Sequence, residues 1–216
     1  ANAAGRARRA GFDAIEIHGA NTYLFQQFFS PFTNRRDDEW GCQSFDNRSR
    51  FAREAVKAVR SEVGEDYPIA YRISPEEEDP DGYSTSEAIE LLKVLVDAGV
   101  DIVHVSSWKY GTGVRNDWPD DSHPTKLIRD ALPARVPVIG VGGVGNAGDA
   151  LRVLEDNVEL IAIGRALLLD ADWARKIKDG DDGSIRSSIA TEDELQALEI
   201  PDRMRDYIRR WVFEAS

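Results

Sequence analysis

The sequence predicts an α/β protein built on a parallel sheet, and three observations carry that expectation. Five short apolar, β-branched runs recur along the 216 residues, and each is followed by a helical pattern. The returns from helix to strand are short. Long polar segments instead follow strand ends, at residues 19–47, 74–84 and 106–122. Strands alternating with helices in this way form either a closed (β/α)8 barrel or an open doubly wound sheet. The loop asymmetry suits both, because both collect ligands at the carboxyl ends of their strands.

The elements follow in order. "ANAAGRARRAGFD" is an Ala/Arg-rich helical pattern that Gly11 stops. "DAIEIH" from Asp13 is the first strand, and "RSRFAREAVKAVRSEVG" the helix that follows it. "YPIAYRI" from Tyr67 precedes "TSEAIELLKVLVDAG", whose apolar residues fall at three- and four-residue spacing. "DIVHV" from Asp101 precedes "HPTKLIRDAL", "PVIGV" from Pro137 precedes "AGDALRVLED", and "ELIAI" from Glu159 precedes "RALLLDADWARKI". The ending AG-[FV]-D, at Ala10 to Asp13 and again at Ala98 to Asp101, is a helix stop that feeds a parallel strand. A closed barrel needs eight strands, and only about five βα units are visible. Residues 179–190, "DGDDGSIRSSIA", read as a polar linker. Beyond them "TEDELQAL" and "IPDRMRDYIRRWVFEA" read as capped helices, with Thr191 and Glu194 in capping-box spacing and Pro201 at a first helical position. Trp211 and Phe213 are expected to dock this tail. The expected division is therefore 1–178 as the βα unit and 179–216 as linker and C-terminal helical extension.

Composition narrows the function. A net charge of −12 without a Lys/Arg run argues against nucleic acid or an anionic membrane as partner. A small-molecule substrate is the better expectation. Cys42 is the single cysteine, which leaves no internal disulfide and no thiolate cluster for a metal. No apolar run approaches the ~20 residues that span a bilayer, and no signal peptide opens the chain. A cytoplasmic protein is expected.

Three places carry chemistry. "EIHGANTYL" puts His18, Asn21 and Tyr23 just beyond a buried strand, either as a polar loop or as an active-site rim. "GVGGVG" at residues 140–145 lies between a strand and a helix, where glycine amides can approach a phosphate. A dinucleotide-binding fold would want an acidic residue at the end of the next strand, but that strand ends in Gly164 and Arg165. Glycines plus a guanidinium suit a phosphate site shared by two consecutive strand ends. Arg72 interrupts the apolar "IAYRIS" and reads either as a structural salt bridge or as a group facing an anionic ligand. His104 and His123 read as ordinary core and capping residues.

The stretch "GFDAIEIHGANTYLFQQFFSPFTNRRDDEWG", then "SFDNRSRF", Arg72 in "RIS", "GVGGV" and "AIGRALLLDADW" resemble, in this order, the old yellow enzymes. These are FMN-dependent ene-reductases of the NADH:flavin oxidoreductase group, built on a (β/α)8 TIM barrel. The likeness runs from about Gly11 to Lys176 and implies that the chain holds strands four to eight of that barrel. It further implies that His18 and Asn21 donate hydrogen bonds to the carbonyl oxygen of an enone-type substrate and that Tyr23 delivers a proton to its α-carbon. By the same resemblance Arg72 lies against the flavin ring, Gly142, Gly143, Gly164 and Arg165 surround the FMN phosphate, and NAD(P)H is the reductant. Asn21 stands where other members carry a second histidine, which preserves donation. Trp40 replaces a common Tyr, and Cys42 follows Gly41 where a second glycine is usual. The family's first three strands have no counterpart here, so a homo-oligomer or a complementing N-terminal barrel portion is expected. The rival expectation is a non-catalytic phosphate-ligand or assembly module.

Overall fold

The computed structural model describes residues 1–113, 122–198 and 200–213, with side chains as far as Arg209. Five strands, β1 (Ile15–Gly19), β2 (Ile69–Ile73), β3 (Ile102–Val105), β4 (Val138–Val141) and β5 (Leu160–Ala162), pair in parallel in the order β1-β2-β3-β4-β5. Sequential order already disfavours a doubly wound sheet, whose strand order reverses at a switch point. The distribution of side chains decides the matter. Alternate residues of a strand point to opposite faces, and Ile17, Ile69, Tyr71, Ile73, Val103, Val105 and Val138 share one core with Val56, Leu91, Leu92, Leu95, Ile128 and Val153 of the helices. The other parity, including Glu16, His18, Arg72, His104, Ile139 and Leu160, forms the face that stands apart from this helix-packed core among the described residues. Helices on a single face are the arrangement of a barrel wall. Leu160 on this inner face is 45% exposed, and β1 and β5 each have one strand neighbour among the described residues.

The helices start and stop where local chemistry dictates. Helix α1 (Asn2–Arg9) ends at Gly11, whose φ of 88° lets Phe12 N–H reach back to Ala7 O at 3.2 Å. Helix α2 (Leu24–Phe29) lies inside a segment that reads as polar loop, because six residues with no polar face show no period. Helix α3 (Phe45–Val63) is capped by Ser44, and α4 (Thr85–Asp97) by a Ser84–Glu87 capping box. His123 caps α5 (Pro124–Ala131), and an Asn146–Asp149 box opens α6 (Ala147–Glu155). The segment "RALLLDADWARKI" is two helices, α7 (Arg165–Leu169) and α8 (Trp173–Asp179), rather than one. The break follows from Asp170, whose carboxylate accepts from Asp172 N–H at 3.1 Å, from Lys176 at 2.6 Å and from Arg186 N–H at 2.9 Å.

One clamp recurs at the amino ends of the strands. Buried Arg60 of α3 pairs with Asp101, whose carboxylate accepts Ile69 N–H at 2.9 Å. Buried Arg129 of α5 pairs with Glu159 at 3.0 Å, and Glu159 accepts Val138 N–H at 2.9 Å. Each buried guanidinium thus ties a helix to two strands, with its charge compensated. This end of the sheet serves stability. The opposite end is left for ligand.

Gly19 is fixed by packing: a Cβ there would lie 2.2 Å from the Tyr71 hydroxyl oxygen and 2.3 Å from the ring. Gly19→Ala is expected to cost about 3 kcal/mol, because the buried Tyr71 has nowhere to move; urea unfolding measures it.

Beyond α8, a 3₁₀ turn (Asp182–Ser184), α9 (Glu192–Gln196) and α10 (Asp202–Phe213) surround a small core of Leu169, Ile189, Leu195, Leu198 and Ile208. Thr191 accepts from Glu194 N–H at 3.2 Å, but Glu194 reaches back to Ala190 N–H at 2.7 Å, so the capping box is displaced by one residue. Pro201 precedes α10, accepting Met204 N–H at 2.8 Å. The side chains of Trp211 and Phe213, and residues 114–121 of the loop after β3, lie outside the described residues. Asp170 holds the segment at Arg186 against the turn between α7 and α8. Burial raises its carboxyl pKa, but Lys176 and the N–H groups of Arg186 and Asp172 outweigh that and leave it below the ordinary value. A lowered folded pKa means that this stabilisation is present above the ordinary aspartate value of about 3.9 and is lost as pH falls through the lower folded pKa. Asp170→Asn is expected to reduce hydrogen-exchange protection around Arg186 by roughly tenfold at neutral pH. Wild type should show the same loss only in acid.

Candidate active site

The carboxyl ends of the strands open onto one cavity of about 1810 Å³, lined among others by Asn21, Tyr23, Arg72, Gly142, Gly143, Gly164 and Arg165. Its size exceeds the roughly 300–1,000 Å³ of a small-molecule site, because the inner face of the sheet is open. Seven of the eight residues singled out in the sequence therefore meet at one place. His18 does not line the cavity, but it borders it: its ring centroid lies 5.2 Å from that of Tyr23, and its register partner on β2 is Arg72.

Asn21 and Thr22 adopt left-handed backbone with φ of 57° and 61°. Two such residues in succession are costly outside glycine, and specific bonds hold them. Asn21 N–H donates to Ser74 Oγ at 2.9 Å, and Thr22 N–H to Gln26 Oε1 at 2.9 Å. Gln26 in turn donates to Glu77 at 2.9 Å, as does Ser30 at 2.6 Å, so helix α2 is tied to the loop after β2. Tyr83, fully buried, shapes that loop by donating to Ser74 O at 2.8 Å.

A relay of three side chains runs across the strand ends. Arg72 Nη2 donates to Ser106 Oγ at 3.0 Å, and Ser106 Oγ donates to Asn21 Oδ1 at 3.0 Å. Its oxygen is thus engaged, and Asn21, which lines the cavity, makes no hydrogen bond through Nδ2 among the described residues. Arg72 makes no ion pair among the described residues, and its Nε is buried with no hydrogen-bond partner. Of the two readings of "IAYRIS", the structural salt bridge finds no carboxylate partner among the described residues, and Arg72 lines the cavity. Burial, then the Arg72 charge, push the His18 imidazole below its ordinary pKa, with Glu16 opposing. His18 is thus neutral at neutral pH.

Gly142 has φ of 133°, and a Cβ there would lie 2.5 Å from Tyr110 N. Its carbonyl accepts that same N–H at 2.9 Å, joining the loops after β3 and β4. Gly143, with φ of 67°, faces open space, and Gly164 precedes α7 with open space beside it. Sequence reasoning missed Ser74, Ser106, Gln26 and Glu77. Ser74 and Ser106 each follow a strand directly, and position at a carboxyl strand end is the one signal that could have found them.

The family model for the NADH:flavin oxidoreductase / NADH oxidase family matches residues 1–182. The chain belongs to this family. It is 42% identical over 207 residues to the NADH:fumarate oxidoreductase of Klebsiella pneumoniae (strain 342), covering 91% of this chain and 22% of that protein. It is 38% identical over 226 residues to the NADH:acrylate oxidoreductase of Vibrio harveyi, covering 100% of this chain and 22% of that one. Among solved structures it is similar to morphinone reductase in complex with tetrahydroNAD, with a TM-score of 0.68 and 28% identity, over 94% of this chain and 49% of that one. The chain thus spans from about a fifth to about half the length of these relatives. The fold is part of a TIM barrel of the old yellow enzyme group, a family of oxidoreductases that use FMN with NAD(P)H as reductant. The residues present fit that cofactor: a buried Arg72 Nε without a partner, a backbone cradle at Gly142 that no side chain could enter, and open space at Gly143 and Gly164. Among the described residues no helix is long and apolar enough to cross a membrane.

Proposed function

We propose that this chain carries the substrate-facing and phosphate-binding side of an FMN-dependent oxidoreductase that reduces the C=C bond of α,β-unsaturated carbonyl compounds with NAD(P)H. The observation that carries the proposal is the Arg72–Ser106–Asn21 relay, which opens on the same cavity as Tyr23 and the glycine cradle. The names of two relatives, for fumarate and acrylate, describe acids with a conjugated C=C bond, which supports the substrate class for whole proteins of which this chain matches 22%.

Gly142, Gly143, Gly164 and Arg165 would hold the FMN phosphate, and Arg72 would face the ring. When bound, FMN supplies the hydride that adds to the substrate β-carbon. Neutral His18 and Asn21 Nδ2 donate to the carbonyl oxygen, where negative charge develops, and fixed donors stabilise that charge more than they stabilise the ground state. Tyr23 delivers its phenolic proton to the α-carbon as general acid. A complementing barrel portion, or a second copy of the chain, would close the inner face over β1 and β5. The experiment is anaerobic: the purified chain with FMN is reduced by NADH or NADPH and then mixed with cyclohexenone. Reoxidation by the enone supports the proposal, and reduction without reoxidation rejects this substrate class.

A further inference from the structure

We propose that Glu16, anchored by His104, is a positioning residue that balances the charge of Arg72 on the inner face, and so sets how strongly the site prefers an anionic ligand to a neutral one. The inference rests on reading the site as an FMN site, since the flavin ring gains negative charge on reduction. His18, Arg72 and His104 stand in register on β1, β2 and β3, and Glu16 lies one inward position below His18. Glu16 Oε2 meets His104 Nδ1 at 2.8 Å. His104 is only 8% exposed, and its Nε2, like Arg72 Nε, is buried with no partner. The inward residues of β4 and β5, namely Ile139, Val141, Leu160 and Ala162, carry no charge.

Glu16 is therefore the one carboxylate on the strand rows of this face among the described residues. The acidic residues 76–79 stand on the loop after β2. The contrast with Asp101 and Glu159 is informative, because those carboxylates sit at the amino ends of strands, pair with arginines and cap strand N–H groups. Glu16 does none of this. Burial raises its pKa, but the His104 hydrogen bond and the Arg72 charge leave it lowered, so it is ionised at neutral pH. Its charge also opposes the lowering of the His18 pKa.

A purely structural Glu16 would, when replaced, weaken oxidised and reduced FMN alike. A balancing charge predicts a bias. Oxidised FMN, and reduced FMN under anaerobic conditions, are titrated into the full chain and into Glu16→Gln. The variant is expected to favour reduced FMN over oxidised by a further factor of about three to ten. His104→Asn, which retains a donor near the Nδ1 position, should stay close to wild type. In flavin-free protein, the NMR titration midpoint of His18 should move further down in Glu16→Gln. Should that variant not fold, Glu16→Ala removes the same charge and carries the same two readings. Equal change in both FMN affinities, or an unmoved His18 midpoint, overturns the inference. If wild type binds no FMN, the functional reading fails, while the His18 titration still decides whether Glu16 balances the row.

Discussion

Replacing Tyr23 with phenylalanine is expected to slow reoxidation of the NADH-reduced, FMN-loaded chain by cyclohexenone about a hundredfold or more, while sparing reduction by NADH. A positioned general acid typically contributes about 10² to 10⁴ in rate, and Tyr23 is the phenol beside the proposed oxyanion donors. The variant is clean on structural grounds. Tyr23 is 61% exposed, and its hydroxyl makes no hydrogen bond among the described residues, so its removal leaves no buried group unsatisfied. The ring that packs near His18 is retained. Hydride arrives from NADH without any demand for a proton at substrate carbon, which is why the two half-reactions should separate. Stopped-flow absorbance at the flavin band measures both, and equal slowing would remove Tyr23 from the proton-donor role.

Gly142→Ala is expected to lower FMN affinity on the order of a hundredfold. The new Cβ would sit 2.5 Å from Tyr110 N and 2.7 Å from Lys109 C, both main-chain atoms that cannot rotate away. Its φ of 133° adds strain for any L side chain. Overpacking of this kind costs about 1–3 kcal/mol, and it falls on the bond that joins the loops after β3 and β4. The cradle must then open or shift. Isothermal titration with FMN reads the loss, and unchanged affinity would show that the phosphate lies elsewhere.

The five strands were legible because each is a short apolar run flanked by turn-forming or polar residues, Asp13, Pro68, Asp101, Pro137 and Glu159 among them, whereas the row that joins His18 to Arg72 emerged only from the register of β1 and β2. Barrel and open sheet could not be separated by spacing. Only the side chains that share a core with the helices, Tyr71 and Val103 against Leu91 and Ile128 for example, showed that the helices among the described residues pack on one face. Helix α2 was hidden by its brevity. The break at Asp170 depends on Arg186, sixteen residues away, and no local pattern encodes such a contact. The same limit applied within the site. Histidine, tyrosine and the glycine run announce themselves by residue type, but the hydroxyls of Ser74 and Ser106 matter only because folding brings them to Asn21 from 53 and 85 residues away.

The central claim is that the Arg72 face and the glycine cradle form one FMN site, and equilibrium binding of FMN to the purified chain tests it most directly. The expected result is stoichiometric binding with a flavin absorption band that travels with the protein, weakened in Arg72→Ala and in Gly142→Ala. A chain that stays colourless after incubation with excess FMN, or two variants that bind it as wild type does, would contradict the account.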